Sequence, residues 1–357
     1  MKKIVTIVGA RPQFIKAATV SREFKSSGVN EIIIHTGQHF DENMSDVFFR
    51  EMEIPRPDYQ LEINSLSHGA MTGRMLERIE EVLLKEKPEG VLVYGDTNST
   101  LAGALAASKL HITVAHVEAG LRSFDMQMPE EVNRIVTDRI SQLLLCPTET
   151  AVKNLESEGF RNFDCEISKP GDVMYDAVLF YRTKAKQFAT VLGREGLVGK
   201  EFVLATLHRA ENTNDPLRLR SICKALNEIN ATIPVLLPLH PRTKNFLYSL
   251  QIPLQVQIIE PVGYFDMLSL LENCTLVLTD SGGLQKEAYF FEKFCLTLRD
   301  QTEWVELVEA GANEIVGADA DQILGGFRRN LGRNFAALPL YGSGDAAGRI
   351  AKSIVDR

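Results

Sequence analysis

The sequence predicts an α/β protein built on two doubly wound parallel sheets. One observation is that strand and helix patterns alternate along both halves of the chain. A second is that the strand patterns, such as 3–8 (KIVTIV) and 275–279 (TLVLT), are continuously apolar, which indicates strands buried on both faces. A third is the length of 357 residues, which favours two cores over one.

The predicted elements give each half of the chain a Rossmann-like order. In the first half, strands are predicted at 3–8, 31–36, 90–95, 112–117 and 143–146. Helices are predicted near 13–27, 41–52, 67–86, 98–110 and 129–142. In the second half, strands are predicted at 202–207, 234–239, 255–259, 275–279 and 294–298, with helices between them.

The boundary between the two domains is predicted from a lapse in this alternation. Residues 160–176 form a polar segment that contains Pro170 and Gly171. We therefore expect domains at 1–170 and 171–344. A Gly-rich break then precedes 345–357, which is predicted to be a closing helix.

Composition excludes several classes of protein. The net charge is −8 and no block of the chain is rich in Lys or Arg, so we expect no nucleic-acid partner. No apolar stretch approaches the roughly 18–20 residues that span a bilayer, so we expect no membrane association. The five cysteines are odd in number and lack CxxC spacing, which favours reduced thiols in a cytoplasmic protein and no metal site.

Three acidic motifs lie just beyond strands or at a helix start. They are GDTNS at 95–99, HVEAGLRS at 116–123 and PEEVNR at 129–134. They bring Asp96, Glu118, Glu130 and Glu131 toward one edge of one sheet, because strand ends carry the ligand chemistry of such folds. Like charges held close raise a carboxyl pKa, which suits proton transfer near pH 7.

Each of these acids also has an ordinary structural interpretation. Asp96 can cap a helix, and Glu130 lies in a first helical turn, which the helix dipole favours. Three motifs at neighbouring strand ends nevertheless favour the catalytic interpretation.

The turn TDSGGLQKE at 279–287 follows a strand and opens a helix. Ser281, Gly282 and Gly283 would present backbone N–H groups to a phosphate, and Glu287 would accept hydrogen bonds from ribose hydroxyls. Gly-rich turns are also common packing devices, so this motif alone leaves both interpretations open.

Cationic and imidazole side chains follow other predicted strands. In VGARPQFIK at 8–16, Arg11 and Lys16 would neutralise a diphosphate, although Lys16 also fits a solvated helix face. In LHRAEN at 207–212, His208 is a candidate proton carrier, a phosphate donor or a hydrogen-bonded loop residue. No third ligand accompanies His208 and Glu211, so no metal is expected.

Taken in order, the motifs resemble those of the non-hydrolysing UDP-N-acetylglucosamine 2-epimerases over almost the whole chain. They are GARPQFIK, TGQHFDENM, GDTNSTLAG, HVEAGLRS, PEEVNR, GDVMYDA, LHRAEN, LHPRT, EPVGY and TDSGGLQKEA. The resemblance implies a glycosyltransferase-B arrangement with the active site in the interdomain cleft and the C-terminal helix packed back on the first domain. It also implies inversion at C2 of a UDP-2-acetamido sugar without a cofactor, by elimination of UDP to a 2-acetamidoglucal and re-addition.

The resemblance also implies roles for individual residues. Asp96, Glu118 and Glu130 are the acid–base candidates, with the face of C2 that each serves left open, and His208 is a further catalytic candidate. The implied substrate-binding residues are Arg11, Lys16, Arg209, Tyr264, Ser281, Gly282, Gly283 and Glu287. A homodimer is expected by analogy alone.

Two departures from the commonest family pattern favour one branch. The usual GTRPE is GARPQ here, with Gln13 for Glu, and the usual RDTTERPE is RDQTEWVE at 299–306. Both resemble the branch acting on UDP-2,3-diacetamido-2,3-dideoxy-glucuronate, an intermediate of surface polysaccharides. The segment 63–69 also lacks an Arg/Gln pair linked to activation by a second substrate molecule, so we expect that activation to be absent or altered.

Four alternatives stay open at this point. They are a UDP-GlcNAc 2-epimerase, a hydrolysing epimerase that releases UDP, a glycosyltransferase of the same fold and a non-catalytic sensor of nucleotide sugars.

Overall fold

The structure is a computed structural model that describes residues 2–38, 49, 53, 56–333, 335 and 337–357, with Arg11 described by its backbone alone. It divides into two compact units. The first unit combines Met1–Leu179 with Pro339–Arg357, and the second is Phe180–Leu338.

The first unit is built on a seven-stranded parallel sheet. Its strands are β1 (Lys3–Val8), β2 (Asn30–His35), β3 (Tyr59–Gln60), β4 (Gly90–Tyr94), β5 (Thr113–Val117), β6 (Leu143–Leu145) and β7 (Glu166–Ser168). They lie in the order β3-β2-β1-β4-β5-β6-β7. The order reverses between β1 and β4, which is the position where doubly wound folds bind ligands. The sequence did not predict β3 and β7, because they are short and carry no apolar run.

The described helices that begin in this unit before Leu179 are α1 (Arg11–Ser26), α2 (His68–Glu86), α3 (Asn98–Lys109), α4 (Pro129–Ile140), α5 (Glu149–Ser157) and α6 (Val173–Phe188), and α6 continues into the second unit. Their starts follow sequence signals: Thr97 caps α3 by accepting the Thr100 N–H, and Pro129 occupies the first turn of α4. The helix predicted near 41–52 falls largely outside the described residues.

The second unit contains a six-stranded parallel sheet. Its strands are β8 (Val203–Thr206), β9 (Val235–Pro238), β10 (Gln257–Ile259), β11 (Leu276–Thr279), β12 (Cys295–Thr297) and β13 (Asn313–Ile315). They lie in the order β10-β9-β8-β11-β12-β13, so the order reverses between β8 and β11. The helices are α7 (Val191–Arg194), α8 (Ala210–Thr213), α9 (Pro216–Asn230), α10 (Pro241–Ser249), α11 (Tyr264–Asn273), α12 (Gly282–Phe290), α13 (Val305–Glu309) and α14 (Ala320–Asn330).

The last helix, α15 (Ala346–Val355), belongs to the first unit and packs against α1. The chain that returns to it is hydrogen-bonded to the start of α6. The Asp172 N–H donates to the Tyr341 carbonyl over 3.0 Å, and the Ala347 N–H donates to the Asp176 carboxylate over 2.7 Å. These bonds keep the start of α6 in the first unit, so the division falls between 179 and 180 and not at the expected 170–171.

His35, at the end of β2, gives the first unit a pH-dependent stability. Its ring is 3% exposed, lies against Phe14 with the ring centroids 5.0 Å apart, and has an unpartnered Nε2. Burial lowers the pKa of His35 from 6.5 to about 4. Between these values the unfolded chain binds a proton that the folded chain does not, so the free energy of unfolding falls as the pH falls.

We therefore expect acidification from pH 7 to pH 4 to remove about 3 kcal/mol of unfolding free energy through this one group. Urea unfolding at several pH values measures how steeply the free energy of unfolding changes with pH. The His35→Phe substitution keeps the ring contact with Phe14 and removes the contribution of His35 to that slope. Equal slopes for the wild-type and variant proteins would contradict the assignment.

Candidate active site

The predicted carboxylates lie at the carboxyl edge of the first sheet, near its reversal point. Asp96 follows β4, Glu118 follows β5, and Glu130 lies in the first turn of α4. A cavity of about 170 Å³ opens at this edge. Its lining residues are Ala10, Pro12, Gln13, Lys16, Gln38, His68, Tyr94, Gly95, Asp96, Thr97, Asn98, Pro129, Glu130 and Asn133. Two of the three acid–base candidates therefore face one cavity in the first unit.

Glu118 reaches this region through an ion pair with Lys16. Both side chains are buried, and Lys16 itself lines the cavity. Gly95 lies directly beside the pair, because a Cβ at Gly95 would lie 3.3 Å from Glu118 Oε2 and 3.5 Å from Lys16 Nζ. Lys16, expected to neutralise a diphosphate, neutralises a carboxylate in this structure.

Asp96 also has a cation as its direct partner. Arg134 on α4 donates to the Asp96 carboxylate and, through its other terminal nitrogen, to Glu131. The Asp96 side chain keeps 32% exposure, whereas the Arg134 side chain is 4% exposed. Asp96 is thus held by a buried arginine and still accessible from the cavity.

Glu131 differs from its neighbour Glu130. It is fully buried, and its carboxylate accepts the backbone N–H groups of Ser123 and Phe124 at 2.9–3.1 Å. Glu130 is half-buried at the cavity. Glu131 therefore fixes the loop after β5, and Glu130 is the acid of this pair that faces the cavity.

Gln13 joins two turns beside the cavity. Its buried side-chain oxygen accepts the N–H groups of Gly9 and Ala10 at 2.8 and 3.0 Å. Its amide nitrogen donates to the Tyr94 carbonyl at 2.7 Å and to the Thr100 hydroxyl at 2.9 Å. A carbonyl only accepts, so Gln13 supplies here a donor that an ionised glutamate lacks.

In the second unit, His208 lies at the reversal point of the sheet with a buried aspartate behind it. Asp280 accepts the backbone N–H groups of His208 and Arg209 at 3.0–3.1 Å, and its carboxylate lies 3.0 Å from His208 Nδ1. Burial alone would raise the Asp280 pKa, but His208 and the backbone donors outweigh burial and hold that pKa below its usual value. The His208 side chain is 52% exposed, so Asp280 orients an imidazole that is open to a ligand.

The predicted phosphate turn follows Asp280 directly. Ser281 caps α12 by accepting the Leu284 N–H. Within the described part of the chain, the N–H groups of Gly282 and Gly283 donate to no other group. A Cβ at Gly282 would lie 2.2 Å from Oε1 of Glu303, so a larger residue there would displace the end of that side chain. The turn thus presents two unused donors at the start of a helix.

Two expected ligand contacts in this unit are less accessible. The Tyr264 ring is 2% exposed and lies edge-on to Tyr181, with the ring centroids 5.9 Å apart. A contact between Tyr264 and the substrate therefore stays a prediction, and the burial of the ring limits how much of its side chain a ligand can reach. Glu287 is 8% exposed on α12.

Comparison with known proteins identifies the family. The family model described as UDP-N-acetylglucosamine 2-epimerase matches residues 22–355. The chain belongs to this epimerase family. It is therefore an isomerase.

Relatives of this epimerase are similar over their whole length. A curated UDP-2,3-diacetamido-2,3-dideoxy-D-glucuronate 2-epimerase of Pseudomonas aeruginosa is 58% identical over 353 residues, which covers 98% of each chain. The crystal structure of Methanocaldococcus jannaschii UDP-GlcNAc 2-epimerase in complex with UDP-GlcNAc and UDP has a TM-score of 0.93 and 42% identity, covering 100% of both chains. The Neisseria meningitidis enzyme bound to UDP-GlcNAc has a TM-score of 0.89 and 30% identity, covering 99% of this chain and 100% of that one. These structures confirm the predicted α/β fold.

Two residues of this epimerase that hold candidate catalytic groups were not predicted from the sequence. Arg134, in PEEVNR, pairs with Asp96, and Asp280, in TDSGG, holds His208. Both residues lie inside motifs that resemble those of the family, so their positions could have been singled out from the sequence. Nothing in the sequence, however, indicates which side chains they pair with.

Across the described ranges, no cluster of three or more His, Cys, Asp and Glu side chains could hold a metal ion. No helix in the searched part of the chain is long and apolar enough to cross a membrane.

Proposed function

We propose that this epimerase inverts C2 of UDP-2,3-diacetamido-2,3-dideoxy-D-glucuronate to give the manno epimer. The cavity that Asp96 and Glu130 share beside the Lys16–Glu118 pair carries the proposal for the reaction. The 58% identity to the Pseudomonas aeruginosa enzyme of that name supports the proposal for the substrate.

The chemistry explains why several carboxylates are needed. No carbonyl adjoins C2 of the sugar, so its proton is too weakly acidic for direct removal and return. In the proposed route a carboxylate takes the C2 proton while the C1–O bond breaks and UDP leaves with the bonding pair, in an anti elimination that gives a 2-acetamidoglucal. A second acid then protonates C2 from the other face as the UDP oxygen adds back to C1.

Asp96, Glu118 and Glu130 are the proposed acid–base groups in this route. Asp96 and Glu130 supply oxygens at the cavity, and Glu118 can exchange a proton there through its ion-paired neighbour Lys16.

The second unit is proposed to retain UDP during the intermediate. The unused N–H groups of Gly282 and Gly283 and the Ser281 turn suit a phosphate, and His208 with Arg209 lies beside Asp280. Glu287 is the proposed ribose partner. Arg11 keeps its proposed diphosphate role, although its side chain lies outside the described residues.

The test is incubation with UDP-2,3-diacetamido-2,3-dideoxy-glucuronate and with UDP-GlcNAc in D₂O. We expect deuterium at C2 in both epimers of the diacetamido uronate, at a rate at least about 10-fold above that for UDP-GlcNAc, which corresponds to about 1.4 kcal/mol of transition-state discrimination. Phosphorus NMR should show UDP retained in the sugar nucleotide.

Other outcomes would change the assignment. Faster labelling of UDP-GlcNAc would reassign the substrate, steady accumulation of free UDP would indicate a hydrolysing epimerase, and no label in either sugar would contradict the proposed reaction.

The proposed cellular context follows from family resemblance. It is a cytoplasmic homodimer that supplies the manno epimer for a surface polysaccharide such as the O-antigen of lipopolysaccharide. Sedimentation of the purified protein measures the oligomer directly.

A further inference from the structure

A buried cluster of charged groups lies beneath the acid–base candidates of the first unit. It consists of His116 on β5, Arg122 in the following loop, Asp138 on α4 and Glu158 after α5. The side chains of His116 and Asp138 are 0% exposed. Burying charged groups costs free energy even when they are paired, so such a cluster is weak evidence that it stabilises the fold. Its hydrogen bonds to the surrounding backbone indicate another role.

The hydrogen bonds of His116 fix the roles of its atoms. Nε2 lies 2.7 Å from the Gly95 carbonyl oxygen, which only accepts, so Nε2 donates. Nδ1 lies 2.7 Å from the Asp138 carboxylate. Burial alone would raise the pKa of Asp138, but His116 and Arg122 outweigh burial and hold that pKa below its usual value. The Asp138 carboxylate and the Gly95 carbonyl are both acceptors, and the two ring nitrogens of His116 link them.

Asp138 thereby connects three segments that carry the candidate carboxylates. Through His116 it holds the carbonyl of Gly95, which directly precedes Asp96. Its second oxygen accepts the Gly120 N–H at 3.1 Å, two residues after Glu118. Asp138 itself stands on α4, whose first turn carries Glu130.

The segments held in this way have backbone conformations that need support. Gly95 has a φ of 64°, Glu118 has a φ of 74° and Gly120 has a φ of 81°. This left-handed region is sparsely populated, and a non-glycine residue such as Glu118 is strained there. The hydrogen bond from His116 to the Gly95 carbonyl holds the turn before Asp96, and the hydrogen bond from the Gly120 N–H to Asp138 holds the turn after Glu118. Both bonds oppose a change of these turns to a less strained backbone conformation.

We propose that His116 and Asp138 are positioning residues that set the placement of Asp96, Glu118 and Glu130 for proton transfer at C2. This inference rests on the proposed function. A displacement of the reacting groups by about 1 Å costs about 100-fold in rate, so loss of the link to Gly95 should lower kcat and leave UDP binding unchanged.

Two variants of His116 separate positioning from simple stabilisation of the buried charge. The amide nitrogen of Asn is as many bonds from the backbone as Nδ1, so His116→Asn keeps a donor for Asp138 and loses the bond to Gly95. The amide nitrogen of Gln is as many bonds out as Nε2, so His116→Gln keeps a donor for Gly95 and loses the one for Asp138.

We expect His116→Asn to lower kcat for C2 deuterium incorporation by about 100-fold and His116→Gln by less than about 10-fold, with KM changed less than about threefold. The reverse order, with Asn close to wild type and Gln impaired, would mean that His116 only neutralises Asp138 and would overturn the proposal. Urea unfolding of each variant records stability separately.

Glu158→Gln provides the matched control. Glu158 contacts Arg122 at the outer side of the cluster and its side chain is 33% exposed. Among the described residues its carboxylate has no hydrogen bond to the segments at Gly95, Gly120 or Glu130. We expect its kcat to stay within about twofold of wild type.

Asp138→Asn tests the same link when His116→Asn fails to fold. The asparagine keeps one acceptor oxygen, but its amide N–H faces a group that donated to Asp138, on His116, Gly120 or Arg122. One of these hydrogen bonds is therefore lost, so kcat should fall while KM stays unchanged. A wild-type kcat in this variant would overturn the proposal. No C2 exchange by the wild-type protein on either UDP-sugar would refute the proposed function as well, whereas exchange that is insensitive to both substitutions would refute the positioning role alone.

Discussion

Asp96→Asn is expected to lower kcat for C2 deuterium exchange by about 1000-fold, which is within the range that general acid–base groups contribute. The amide cannot take or give the C2 proton, whereas Arg134 keeps Glu131 as an ionic partner, so the fold should persist. Deuterium incorporation at saturating UDP-sugar, followed by proton NMR, measures the loss.

Glu149→Gln is the control for this substitution. Glu149 is another carboxylate of the first unit, but it pairs with Lys169, is 60% exposed and does not line the cavity. It should retain wild-type kcat. An Asp96→Asn protein that exchanges C2 within about 10-fold of wild type would remove Asp96 from the mechanism.

Among the substitutions proposed here, Lys16→Met should cause the largest decrease in the free energy of unfolding. The Lys16 and Glu118 side chains are 9% and 8% exposed, so removing the ammonium leaves a buried carboxylate without its cation. Breaking such a pair typically costs about 3 to 5 kcal/mol of unfolding free energy. Urea unfolding measures the difference from wild type.

The double variant Lys16→Met/Glu118→Leu tests the cause. Replacing both charges with apolar groups removes the unpaired carboxylate, so most of the lost stability should return. Lys169→Met, which breaks an ion pair between exposed side chains, should leave the urea midpoint unchanged. If the double variant is as unstable as Lys16→Met, desolvation of Glu118 is not the reason for the loss.

The positions of Asp96, Glu118 and Glu130 were predictable because strand order alone brings strand ends to one edge of a parallel sheet. The pairing of charges was not. Lys16 and Glu118 are 102 residues apart in the chain, and Arg134 and Asp96 are 38 apart, so only the folded backbone decides which cation meets which carboxylate.

The strands that sequence reasoning missed have a common physical reason. β3, β7 and β13 have two or three residues each and lack an apolar run, so they form because a neighbouring strand offers hydrogen bonds. The burial of the Tyr264 ring was not predictable either. Its motif suggested a ligand contact, which stays a prediction, and in the structure the ring packs against Tyr181.

The split composition of the first unit has a consequence for synthesis. Residues 180–338 emerge from the ribosome as a complete unit while the first unit still lacks α15. The buried face of α15, which includes Ile350 and Ile354, covers α1 only after those residues have been made. Since domains fold as units during synthesis, the second unit can complete its fold before the first unit does. The unit that carries the acid–base candidates is then the later of the two to complete its core.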